Sequence, residues 1–330
     1  MFDSYRGFRV ALVVPCYNEA LAIEKVVTDF KAALPALQIF VFDNNSTDAT
    51  AQVAQDAGAS VITVKLKGKG NVVRRMFADL DADIFVMVDG DATYEAAAVT
   101  KLIDRLIDER LDMVVGSRKV ATLEAGEAYR TGHEFGNRML TTCVKKIFGG
   151  EFDDMLSGYR VFSRRYAKSF PALSAGFETE TELTVHALEL RMPYAEIETQ
   201  YGARPEGSES KLSTYRDGFR ILGTIFKLYV SERPLQFFGI MAILLAVTSI
   251  GLSIPIFEEF LKHGLVPRLP TAVLSASMMV CGLLSLLAGL ILNNITRGRQ
   301  ESKRLAYLSI PALEVNKSAL NHPTSTLRDS

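Results

Sequence analysis

Apolar residues are distributed along this chain in two distinct ways. Up to about residue 234 they come in short runs, "RVALVVP", "QIFVFD", "SVITVKL", "DIFVMVD" and "DMVVGS", each of a length that suits one buried strand. Between them lie amphipathic stretches such as "EALAIEKVVTDFKAAL" and "YEAAAVTKLIDRLIDER", with apolar positions on one helical face. Strand and helix in alternation predict an α/β fold, a mostly parallel, Rossmann-like sheet covered by helices.

From Leu235 the pattern changes. Leu235 to Phe257 and Leu269 to Ile295 carry no charged residue. Each exceeds the roughly 20 residues that cross a hydrocarbon core of about 30 Å. Two buried helices of a soluble core are the alternative, but core helices seldom stay charge-free over such a length. The pattern predicts a two-helix transmembrane anchor. Its connector, "EEFLKHGLVPR", is short and mixed in charge, whereas the far flank, "TRGRQESKR", is rich in Arg and Lys and belongs in the cytoplasm. Two spans then put the N-terminal domain and both termini on the cytoplasmic side of the inner (cytoplasmic) membrane.

Ahead of the first span, Leu212, Tyr215, Phe219, Leu222, Phe226 and Tyr229 mark one helical face, with Arg216, Arg220 and Lys227 on the other side. One interfacial helix, or two broken near Gly218 or Gly223, would lie against anionic headgroups. An ordinary amphipathic helix packed on the domain is the other reading. The predicted organisation is a domain over 1–210, an amphipathic juxtamembrane segment over 211–234, and spans over 235–257 and 269–295. A short non-cytoplasmic loop covers 258–268, and a partly disordered cytoplasmic tail covers 296–330.

Composition narrows the function. Against 38 Asp and Glu stand 37 Lys and Arg, so no strong field points to nucleic acid. Cys16, Cys143 and Cys281 lie far apart without a CxxC pair, which suggests a reducing compartment, no disulfide framework and no structural zinc. The opening "MFDSYRGFRV" leads straight into a strand and lacks the features of a secretory signal.

In open sheets of this kind ligands collect at the carboxyl ends of the strands. The unusual residues gather there: Pro15 to Glu19 after the first run, Asp43 to Asp48 after the second, Asp89 and Asp91 after the fourth, Ser117 and Arg118 after the fifth. Asp89 and Asp91 flank Gly90, and two carboxylates about 4 Å apart repel by about 4 kcal/mol at an effective dielectric of about 20. A hard divalent cation, Mg²⁺ or Mn²⁺, is the natural compensation, since such ions take carboxylate oxygens. "VVPCYNEA" lacks the glycines of a dinucleotide loop, and no GxxxxGK[ST] loop occurs. "KGKGN", which contains Lys69, either helps hold a phosphate at a helix start or is a plain turn. "NSTDAT" reads as a capped helix start in which Asp48 favours the dipole.

The ordered set "VVPCYNE", "DNNSTDAT", "GKG" and "VDGD" resembles the family 2 glycosyltransferases with a GT-A fold. "DDMLSGYRVFSRR", "FETETEL" and "RPEGSESK" resemble its polyprenyl-phosphate branch, which holds dolichyl-phosphate mannose synthase and the bactoprenol glucosyltransferases. The match spans about Val10 to Lys211, and a C-terminal anchor is similar to that of the branch. The resemblance implies that Pro15, Tyr17 and Glu19 border a nucleotide, with Asp43 facing its base or ribose. Asp89 and Asp91, with Gly90 allowing the turn between them, would be a DxD motif holding the metal on the donor diphosphate. Arg118 and Arg130 would face phosphate groups, including that of a lipid acceptor. The segment with Asp154, Ser157, Gly158 and Arg160 would lie close to the acceptor, and Arg204 and Lys211 would sit on a loop over the donor. Where the mannose synthases commonly carry Gln, two positions beyond the second Asp, this chain has Thr93, which leaves the third metal ligand open.

The function so implied is inverting transfer of a hexose or N-acetylhexosamine from a UDP- or GDP-sugar to a polyprenyl phosphate at the cytoplasmic membrane face. Glu178, Glu180 and Glu182 offer a general base, but a phosphate monoester with a second pKa of about 6 needs none at neutral pH, so a helix-start role fits them better. A hydroxyl-directed transferase of the same fold would need a base and usually a QxxRW-type motif, and this chain has no Trp. A non-catalytic scaffold of glycan assembly is the reading from another class, and the retained acid pair weighs against it. Homo-oligomerisation is left open.

Overall fold

A computed structural model describes residues 4–120, 131–176, 178–205, 207 and 214–313. The chain divides into two compact units, Met1–Leu222 together with Lys303–Ser330, and Gly223–Ser302.

The first unit opens with β1 (Ser4–Tyr5), β2 (Phe8–Cys16), α1 (Ile23–Ala33) and β3 (Gln38–Asp43). α2 (Thr50–Asp56), β4 (Ser60–Thr63), α3 (Lys69–Asp79) and β5 (Ile84–Met87) follow, then a 3-10 turn over Ala96–Ala98, α4 (Val99–Asp108) and β6 (Met113–Val120). α5 (Thr131–Phe148), β7 (Arg160–Ser163), α6 (Arg164–Ser169), α7 (Thr179–Leu190) and β8 (Tyr194–Tyr201) come next.

β2 to β6 coincide with the five apolar runs. The sheet order is β4-β3-β2-β5-β7-β6-β8, with β1 antiparallel on β2. The other strands run parallel except β7, which is antiparallel to both β5 and β6. This inversion matters for the site. The start of β7, not its end, reaches the edge where β2, β3, β5 and β6 end, and it carries Ser157 to Arg160 there.

Alternation along the strands feeds two layers. Val10, Leu12 and Val14 of β2 share one buried cluster with Ile23, Val27 and Phe30 of α1 and with Leu102 and Leu106 of α4. On the other face Phe77 of α3 meets Phe85 and Phe162 edge-on, at 5.6 and 5.5 Å between centroids, the orientation that ring quadrupoles favour.

α8 (Thr214–Glu232) is one continuous helix, unbroken at Gly218 and Gly223. Its Ile221 and Ile225 are buried, whereas Phe219, Leu222 and Phe226 face outward.

The second unit continues into α9 (Pro234–His263) and α10 (Leu269–Leu308). The connector is thus 264–268, shorter than the predicted 258–268, because helix persists through "EEFLKH" to a left-handed Gly264 cap. α10 likewise runs past the predicted end of the second span, so the tail up to Leu308 is helical. Residues 314–330 lie outside the described residues. Both helices are long and apolar enough to cross a membrane.

They meet along small residues. Ser275, Gly282, Gly289 and Thr296, at seven-residue steps, are the buried positions of α10, and Ala242, Ser249 and Ile256 repeat the step on α9. A Cβ on Gly289 would lie 2.9 Å from that of Phe238, so only glycine permits this approach. Ser249 Oγ donates to Ser275 O at 2.8 Å and Ser275 Oγ donates back to Ser249 O at 3.0 Å. Close backbones and exchanged hydroxyl bonds are how helices associate where surrounding solvent supplies no hydrophobic drive.

From Lys303 the chain belongs to the first unit again. The Tyr307 hydroxyl donates to Asp112 Oδ2 at 2.7 Å, and Arg165 lies over the Tyr307 ring at 4.7 Å. Asp112 is fully buried just ahead of β6 and also accepts from Ser163 Oγ at 2.7 Å and from the Arg165 fork. Hydrogen bonds to a charged group are worth about 1.5–3 kcal/mol. Tyr307→Phe should therefore lower the first unit's stability by about 2 kcal/mol, read as a reduced urea midpoint with unchanged slope in detergent-solubilised protein.

Candidate active site

The site grows from the end of β5. Val88 is still buried, and then the chain turns through Asp89, Gly90 and Asp91. Gly90 lies against Cys16, whose sulfur would be 2.5 Å from a Cβ placed there. Ala92 takes the left-handed backbone, with φ of 58°, and Thr93 Oγ1 donates to Asp91 Oδ1 at 2.6 Å. Asp91 is 5 % exposed. Burial, then the neighbouring Asp89 charge, pushes its carboxyl above the ordinary range, against the pull of Arg204 and Thr93. Arg204 Nη2 sits 2.6 Å from Asp91 Oδ2 and its Nη1 3.8 Å from Glu19.

Asp89 has its own cation. Lys69 Nζ lies 2.5 Å from Asp89 Oδ1 and 2.5 Å from Glu180 Oε1. Burial alone would depress this ammonium, but the two carboxylates reverse that and hold it above its usual value. Lys69 is aimed by its neighbours. A Cβ on Gly68 would strike the carbonyl of Ala175, and one on Gly70 would strike that of Ser174. Gly70 N–H donates to Ala175 O at 3.0 Å, and Gly68 N–H donates to Asn44 Oδ1 at 2.6 Å. The glycines of "GKG" thus seat the start of α3 against backbone, with Gly68 at φ of 113°. Gly158 completes the niche, because a side chain there would overlap the Asp89 carboxylate.

Beside the acids, Tyr17 is exposed, Pro15 half-buried and Glu19 buried at the end of β2. Asp48 accepts from Thr50 N–H at 3.0 Å and from Ala20 N–H at 3.2 Å. Burial works to raise its pKa, yet these bonds bring it below the usual carboxylate value. Asp43 is buried; its Oδ2 accepts from Ser46 N–H at 3.3 Å, while Oδ1 has no partner among the described residues. Such an orphaned acceptor is costly unless a ligand donor meets it.

Arg118, within β6, is forked onto Asp154 at 2.6 and 2.7 Å and lies 5.6 Å over the Tyr201 ring. Burial tends to raise Asp154, but Arg118 and Asn137 hold it below the ordinary carboxylate range. Two expected acceptor-side residues are corrected. Arg160 is fully buried, donating to the carbonyls of Ser157 and Met155 and to Thr184 Oγ1. Ser157, also fully buried, donates to Gly116 O at 2.6 Å. Both brace the loop before β7 through these bonds. Arg204 is relocated to the acid pair. Arg130 and Lys211 lie outside the described residues.

Three participants are not evident from residue pattern: Glu180 as partner of Lys69, Asp154 as holder of Arg118, and Gly158 as the space for Asp89. Spacing alone carries no signal for the first two, since each pairing joins distant segments.

Among the described residues no group of three or more His, Cys, Asp or Glu forms a ready cage. Two carboxylates one residue apart still fit a hard ion that takes its other ligands from phosphate and water. Filling the niche gives a test. Gly158→Ala should weaken Mn²⁺-dependent nucleotide binding by roughly tenfold or more, since overpacking costs about 1–3 kcal/mol. Calorimetry on a variant with unaltered circular dichroism checks this.

Comparison with known proteins identifies the family and the fold. Residues 11–170 match the model of glycosyl transferase family 2. Over 301 residues, 91% of this chain and 98% of the relative, it is 33% identical to glycosyltransferase AglJ of Haloferax volcanii. Over 131 residues, 39% of this chain and 98% of the relative, it is 59% identical to protein RfbJ of Shigella flexneri. Glucosyl-3-phosphoglycerate synthase from Mycobacterium tuberculosis, solved with Mn²⁺, UDP-glucose and phosphoglyceric acid, superposes with a TM-score of 0.56 at 22% identity. That superposition covers 68% of this chain and 80% of that one. The chain folds as a GT-A-like domain followed by two long apolar helices, and it belongs to glycosyl transferase family 2.

Proposed function

We propose that this protein transfers a hexose or N-acetylhexosamine from a UDP- or GDP-sugar to a polyprenyl phosphate at the cytoplasmic face of a membrane, with inversion. The observation that carries the reading is the acid pair, Asp89 and Asp91, set among Lys69 and Arg204 in a chain that ends in two membrane-length apolar helices.

Asp43, with its orphaned oxygen, would accept from the nucleotide's base or ribose, beside Pro15, Tyr17 and Glu19. A divalent ion bound by Asp89 and Asp91 would neutralise the departing nucleoside diphosphate. Lys69 and Arg204 stand close enough to share that charge. Arg118, held rigid by Asp154, presents a planar cation suited to a phosphate. The acceptor phosphate is largely dianionic at neutral pH and needs no base. That suits the neighbouring acids: Glu180 is tied to Lys69, Glu182 accepts from Ser174 N–H at 2.9 Å, and Asp154 holds Arg118. Rate would come from aligning the phosphate oxygen with the anomeric carbon, and a single displacement inverts that carbon.

Membrane placement is part of the reading. α9 and α10 would span the bilayer, with Arg297, Arg299, Lys303 and Arg304 as the cytoplasmic flank. The outward face of α8, Phe219, Leu222 and Phe226 beside Arg220 and Lys227, suits the headgroup boundary.

Purified protein, Mn²⁺, a panel of labelled nucleotide sugars and undecaprenyl phosphate should give label in the extracted lipid. Asp91→Ala should abolish it while inserting normally into membranes. Label appearing only in a water-soluble glycan, or undiminished transfer by Asp91→Ala, would overturn the reading.

A further inference from the structure

The acids that would hold the divalent ion are already matched by cations of the chain itself. Lys69 Nζ sits on Asp89 and Arg204 on Asp91, at 2.5 and 2.6 Å. The lysine is not a loose surface charge. Its side chain is 10% exposed, its backbone is seated by the close approach of Ser174 and Ala175, and Glu180 grips it from the far side. A divalent ion arriving alone would have to sit beside the ammonium and guanidinium it displaces, and these repel it in surroundings that screen poorly. An ion arriving on a diphosphate brings matching negative charge, and its phosphate oxygens can receive the ammonium and guanidinium as they leave the acids. Glu180 is 4% exposed, and its second oxygen, Oε2, is buried with no partner among the described residues. That oxygen gives the ammonium a second acceptor during the move.

We propose that Lys69 and Arg204 close the carboxylate pair to free divalent ions, so that the ion enters together with a nucleoside diphosphate. Glu180 is the positioning residue that keeps Lys69 paired as it swings from Asp89 to phosphate. This rests on the metal reading given above and adds an order of binding to it.

Titration of the full-length protein in detergent with Mn²⁺, followed by electron paramagnetic resonance, tests it without turnover. The wild type should bind Mn²⁺ about tenfold or more tightly with UDP or GDP present than without. Lys69→Met and Arg204→Gln should each bind Mn²⁺ alone roughly tenfold more tightly than the wild type and lose most of the nucleotide-linked gain. Arg204, partly exposed after β8, guards against the case in which Lys69→Met fails to fold. Glu180→Gln should shrink the nucleotide-linked gain without tightening Mn²⁺ alone. If the variants bind Mn²⁺ no better than the wild type, or the wild type binds it equally well with and without nucleotide, the gating idea fails while the metal site stands. If Mn²⁺ does not bind even with either nucleotide, the metal assignment fails and takes this inference with it.

Discussion

Two like charges forced together at the end of a buried strand set the terms for everything around them. Asp91 is buried and Asp89 half-buried beside it, and burial together with the Asp89 charge holds Asp91 at a raised pKa. Their coexistence calls for cations nearby and for room to place the carboxylates. Lys69 and Arg204 meet the first need, and glycines at 90 and 158 meet the second. Lys69 in turn requires Glu180 to orient it and the glycines at 68 and 70 to let its helix start so close to neighbouring backbone. One electrostatic constraint thus accounts for residues in five separate segments.

Much of this architecture was legible in the residue pattern, for physical reasons. Strands buried on both faces read as continuous apolar runs, so β2, β3, β5 and β6 stand out, whereas β4, a partly exposed edge strand, is marked by its β-branched Val61, Ile62 and Thr63. β7 does not, because "RVFS" is short and flanked by arginines, and β8 does not, because "YAEIETQY" alternates as a half-exposed strand does. The acid pair was legible because adjacent carboxylates after an apolar run demand an explanation. Arg160, inside "DDMLSGYRVFSRR", looks like a ligand for phosphate, and only the fold shows its donors turned to two carbonyls and the Thr184 hydroxyl. Glu180 reads as a helix-start acid, and it does stand in the first turn of α7. Its pairing to Lys69 crosses more than a hundred residues, and no periodicity reports that.

The apolar helices obey a different physics from the sheet. In the first unit large side chains interlock, and around Asp89 and Lys69 bulk is excluded by glycine. In the hairpin smallness is the rule, with serine and glycine at seven-residue intervals bringing backbone against backbone. Large residues such as Ile243, Leu244, Leu283 and Ile291 are turned outward. This inverts the soluble pattern and matches a surrounding medium that welcomes hydrocarbon.

Cys16 beneath Gly90 has a consequence for how the turn can be observed. Its thiol is sealed by packing, and burial, with the acids around it, pushes its pKa far up, so that almost none is the reactive thiolate. Cys281, by contrast, lies exposed on α10. Alkylating reagents would therefore reach Cys16 only when the acid turn lifts away, which makes that sulfur a chemical clock for the opening of the turn.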